Sequence, residues 1–72
     1  MRRDRLLTRL VRERFVITLK TGETFDGLLN EWDQRTVSFV DAHAVTQRET
    51  VPVDGELFVP MEQVAYMQRP VR

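Results

Sequence analysis

The chain has no cysteine and one histidine, His43. The first absence excludes disulfides and thiolate metal sites. The second leaves zinc to be held mostly by carboxylates, so no metal and no cofactor is expected. No run of residues approaches the ~20 apolar positions a membrane-spanning helix requires. Gly-rich phosphate loops, Gly-x-Ser-x-Gly elbows and nucleophile–base pairs are also missing, and an enzyme is therefore not expected. Arg2-Arg3 is followed by Asp4 and Arg5 rather than by an apolar run, which fits neither a Sec nor a twin-arginine export signal. The expected setting is the cytoplasm, away from any membrane.

Seventy-two residues form a single domain. So short a chain buries little surface, and its core supplies only about 3–5 kcal/mol. With disulfides and metal excluded, self-association is the remaining common way to stabilise it. Eleven basic and eleven acidic residues cancel overall, yet they are unevenly placed. Residues 1–14 hold six arginines against Asp4 and Glu13, a net +4, while residues 15–72 hold five basic and nine acidic groups, a net −4. A basic head on an acidic body points either to an anion-binding surface or to head-to-body attraction within an assembly.

Leu6, Leu7, Leu10 and Val11 recur at helical spacing, with Arg5, Arg9 and Arg12 on the opposite face. This predicts an amphipathic helix over about residues 3–12. Phe15, Ile17 and Leu19 then alternate with Val16, Thr18 and Lys20, the pattern of a strand with one apolar face, over about 14–20. Gly22 marks a tight turn. A second strand follows over 24–33, with Gly27 in its middle marking a bulge or sharp bend. The third is expected over 36–41. Residues 42–50 read as polar and irregular, and Asp54-Gly55 as a hairpin signal. Further strands over 56–60 and 64–69 flank Pro60-Met61-Glu62-Gln63, a single helical turn. The predicted fold is mainly β: an N-terminal helix, then five strongly bent antiparallel strands forming a small open barrel.

The last two strands lack the lysines, inward charges and mid-strand prolines that usually blunt sheet edges. Leu57, Phe58, Val59, Val64, Tyr66 and Met67 are accordingly candidate subunit-interface residues, pairing head to tail in a ring.

The stretch Phe15-Val16-Ile17-Thr18-Leu19-Lys20-Thr21-Gly22, with Phe25-Asp26-Gly27-Leu28-Leu29, Trp32-Asp33 and Val37-Ser38-Phe39-Val40-Asp41-Ala42, resembles the first motif of the Sm/LSm family. Gly55-Glu56-Leu57-Phe58-Val59 with Val64-Ala65-Tyr66-Met67 resembles its second. The resemblance implies an Sm-like barrel whose fourth strand pairs with the fifth strand of the next subunit, closing a ring of six or seven copies. It also implies single-stranded RNA at the inner rim, held by the loop after the second strand and the loop between the last two. In the family an asparagine in the first loop reads the base edge, and an Arg-Gly or Lys-Gly pair in the second covers the other side. Here the first loop is one residue shorter, Thr36 stands at the asparagine position, and Pro60-Met61 replaces the basic pair.

Any RNA site is therefore non-standard. Its candidate residues are Asp33, Gln34, Arg35, Thr36 and Met61 at the loops, with Arg5, Arg9 and Arg12 as a phosphate-binding face. Asp33 reads better as the acceptor of an Asx-turn than as a group orienting the base-holding loop, and Trp32 as a cover for the barrel mouth or a subunit contact rather than a base-stacking ring. His43 reads as a loop residue without special chemistry. The alternative function is a scaffold ring with protein partners and no RNA; a monomeric peptide-binding barrel is a third possibility.

Overall fold

The computed structural model describes residues 12–70 of the chain. Six strands follow in order: β1 (Arg14–Leu19), β2 (Thr24–Trp32), β3 (Thr36–Val45), β4 (Thr50–Pro52), β5 (Leu57–Pro60) and β6 (Val64–Gln68). A single 3-10 turn, Met61–Gln63, joins β5 to β6. All pairings are antiparallel, in the order β4-β3-β2-β1-β6, and β5 also pairs with β3. The sheet is mainly β and strongly bent, as the alternating pattern implied.

Two expectations are corrected. There are six strands rather than five, and no α-helix occurs among the described residues. Most of the segment expected to be helical, residues 3–11, lies outside them. Its last expected residue, Arg12, has φ 70, a left-handed backbone that no α-helix uses. The Arg12 N–H instead donates to the Leu29 carbonyl at 2.7 Å.

The additional strand is β4, Thr50–Pro52, paired with residues 43–45, part of the segment read as irregular. β3 runs on to Val45, and a turn closed by Thr46 returns the chain as β4. The Thr46 Oγ accepts from the N–H groups of Glu49 and Arg48, at 3.0 and 3.2 Å. Its hydroxyl also donates to the Glu49 carbonyl at 3.0 Å. A threonine does here what Asn-Gly or Asp-Gly usually does. Asp54-Gly55, by contrast, makes no hairpin. β4 and β5 lie along the same edge of β3, Pro52 opposite His43 and Leu57 opposite Phe39, and Gly55 at φ 77 shapes the break between them.

Bulges bend the sheet. Asp41 and Ala42 of β3 together oppose Gly27 of β2, with Asp41 at φ 50. Asn30 is the extra residue at a second shift in the β2–β3 register, and Ala65 at one between β6 and β1. A Cβ on Gly27 would meet the Phe39 Cβ at 2.9 Å and the Ala42 Cβ at 3.2 Å. The close approach explains the mid-strand glycine. The enclosed core is Phe15, Ile17, Leu29, Val37, Phe39, Ala42 and Val59.

Candidate nucleic-acid interface

Two loops meet at one end of the barrel. Asp33, Gln34 and Arg35 connect β2 to β3 in a turn closed by the Asp33 N–H donating to the Thr36 carbonyl at 2.8 Å. The Asp33 carboxylate accepts from the N–H groups of Arg35 and Thr36, both at 2.8 Å. These bonds, that to Arg35 first, hold its carboxyl below the usual carboxylate range. Asp33 thus shapes the turn. Across from it, the Met61 N–H donates to the Arg35 carbonyl at 2.6 Å, tying the 3-10 turn to the first loop.

Gln34, Arg35, Thr36, Pro60, Met61 and Glu62 line the resulting depression, of about 570 Å³. Gln34, Arg35, Thr36 and Met61, expected to act together, are therefore neighbours. Pro60, which stands at the position of the family's basic pair, joins them, and Glu62 is an addition that sequence reading did not single out, though its place beside Met61 in the short turn was a usable signal. Among the described residues the Arg35 guanidinium and the Glu62 carboxylate form no salt bridge. Asp33 lines a separate open groove, of about 490 Å³, with Glu31, Trp32, Thr36, Ser38 and Phe58. That groove has two carboxylates and no cation. Arg12 lines neither depression; Arg5 and Arg9 lie outside the described residues.

Behind the groove, Ser38 is 2% exposed. Its hydroxyl donates to the Glu56 carboxylate at 2.6 Å, and the Asn30 side-chain amide donates to the same oxygen at 2.8 Å. The two bonds, Ser38 foremost, hold the Glu56 carboxyl below its ordinary range. Glu56 directly precedes β5 and so anchors that strand's start to β2 and β3. A second polar network lies on β1, β2 and β3. The Arg14 guanidinium bridges Asp26 at 2.8 Å and Asp41 at 2.6 Å, and His43 Nδ1 lies 3.1 Å from Asp26. His43 is thus a strand residue in an ionic network, not a loop residue.

Among the described residues β5 pairs only with β3, and β6 only with β1, so each leaves one edge open there. Phe58 is 61% exposed and Tyr66 55%. Leu57, Val64 and Met67 are half-buried against the core, and Val59 is part of it. Of the six candidate interface residues, Phe58 and Tyr66 are the ones that present large apolar surface to solvent.

No protein-family model matches the sequence, and no curated protein is significantly similar to it. Solved structures do match. A heptameric archaeal Sm protein superposes with a TM-score of 0.80 at 20% identity, over 94% of this chain and 98% of its own. The SmAP1 heptamer of P. aerophilum gives 0.82 at 20% identity, over 96% and 92%. The Sm protein of Pyrococcus abyssii, in complex with a uridine heptamer, gives 0.81 at 22% identity, over 97% and 100%.

This chain has the Sm-like fold.

The match spans nearly the whole of each chain, so the six strands described here are an Sm-like barrel in full. The resemblance read from the Phe-x-Gly-x-Leu bend and the Leu57–Val59 and Val64–Met67 strands is a resemblance of fold. No helix among the described residues of this Sm-like chain is long and apolar enough to cross a membrane.

Proposed function

We propose that the chain assembles into a homo-oligomeric ring of six or seven copies and binds single-stranded RNA by a non-standard site. The open edges of β5 and β6, with Phe58 and Tyr66 exposed beside them, support the assembly. Pairing β5 of one copy with β6 of the next would satisfy both edges and cover both aromatic rings. The observation that carries the RNA reading is the Arg35–Met61 backbone bond. It joins the two loops into one depression, which a ring would repeat in every copy. An Sm protein of the same fold binding a uridine heptamer adds support. The protein acts as a binding ring, not a catalyst, and the cytoplasm is its proposed setting.

The competing reading, a scaffold ring with protein partners only, is favoured by the acidic groove of Glu31 and Asp33 beside Phe58. Native mass spectra with and without a short uridine-rich or adenine-rich RNA separate the two. A discrete six- or seven-fold species that gains the RNA mass is expected. A ring that ignores RNA would favour the scaffold, and a monomer would remove the ring itself.

A further inference from the structure

We infer that the base taken up in the depression between Arg35 and Met61 is guanine in preference to uracil, with Glu62 as the residue that decides it. The inference rests on the RNA-binding reading of that depression and goes further by naming the base.

The Gln34 amide and the Thr36 hydroxyl, both in the lining, can each donate or accept and so do not by themselves select a base. Pro60 has no N–H, and the Met61 N–H is already spent on the Arg35 carbonyl. The Thr36 N–H is spent on Asp33. The Glu62 carboxylate lines the depression as an acceptor without a donor of its own, and it accepts no side-chain bond among the described residues. A phosphate beside it would be repelled, so the nucleotide must enter with its base edge toward Glu62 and its phosphate toward Arg35, the cation of the lining. Met61 supplies an apolar surface for the base face.

Base chemistry then decides. The pairing edge of uracil places two carbonyl oxygens around one N–H, and both oxygens would confront the carboxylate. The corresponding edge of guanine carries N1–H and the 2-amino group side by side, two donors spaced for the two oxygens of one carboxylate. Adenine and cytosine each offer a single amino group next to an acceptor nitrogen. The order expected is guanine first and uracil last.

The test uses the full chain and labelled heptanucleotides followed by fluorescence anisotropy at low salt. Alternating guanosine–uridine should bind roughly tenfold more tightly than all-uridine, the discrimination a bidentate contact supplies. Inosine in place of guanosine removes only the 2-amino donor and should lose most of that preference. Glu62 is exposed, and Glu62→Gln, checked for unchanged oligomeric mass, should abolish the preference while strengthening uridine binding. Equal or tighter binding of uridine by the wild type, or a guanine preference that survives Glu62→Gln, overturns the inference and leaves RNA binding standing. Failure to bind any heptanucleotide overturns the RNA reading, and this inference with it.

Discussion

Gly27 and Glu56 show how single residues hold the bend of this barrel. A Cβ at position 27 would press on Phe39, which has no free surface to retreat into. Gly27→Ala should therefore cost about 1–3 kcal/mol, the usual penalty of overpacking, read as a lower urea midpoint. Glu56 works through charge. Its carboxyl is held below the ordinary range, so in acid the native state binds fewer protons than the unfolded chain, and stability rises with pH. That contribution is complete above the unfolded-state value, about 4.3, and is lost as pH falls through the lower folded value. Glu56→Gln should lower the urea midpoint at neutral pH, and the two proteins should converge once pH falls below the lowered folded value. A gap that persists in acid would show that packing, not ionisation, is what the carboxylate contributes. Asp33 adds to the same acid limb, with the same sign.

Among the elements, β5 and β6 matter most, because among the described residues each is paired on one side only. An edge destined for a neighbour should not tolerate a charge at its centre. Phe58→Asp or Tyr66→Asp should shift the assembly toward monomers at micromolar concentration, measured by native mass spectrometry or light scattering. Both side chains are largely exposed in the single chain, so the fold should survive, with an unchanged circular dichroism spectrum. A ring of undiminished mass would assign assembly to another surface. β4 presents the opposite case. It was invisible in the sequence because its hairpin is closed by the Thr46 hydroxyl rather than by a turn dipeptide. The strong-looking Asp54-Gly55 signal turned out to separate β4 from β5 along one edge of β3. A turn signal says that the chain bends, and only the pairing partner says whether it reverses.

At the scale of the whole molecule, the net charge near zero conceals a basic N-terminal stretch and an acidic remainder. A ring would repeat that asymmetry in every copy, and phosphate contacts repeated around a ring make affinity steeply salt-dependent. Arg35→Ala should weaken RNA binding and flatten the plot of log affinity against log salt, since one cation leaves each depression. Changing Arg5, Arg9 and Arg12 to Ala tests the basic stretch in the same assay. Affinity and salt slope that do not move would remove that stretch from the binding surface and leave the loops alone.

The sequence by itself determined the strands with a clear two-residue period, because burial of one face writes that period directly. Phe15 and Ile17 face the core as their alternation required, and the Gly27 bend lies where the strand must let Phe39 and Ala42 approach. The loop residues Gln34, Arg35, Thr36 and Met61 were legible through their place in the motif order, not through any chemistry of their own. Only the tertiary structure joined them. The Arg35–Met61 bond links positions 26 apart in the chain, and Glu62 enters the lining because that bond sets the 3-10 turn against the first loop. The same holds for Glu56 with Ser38 and Asn30, and for Arg14 with Asp26 and Asp41. Polar side chains on different strands carry no periodic signature. Their partners are set by register, and register here depends on bulges that alternation alone does not locate.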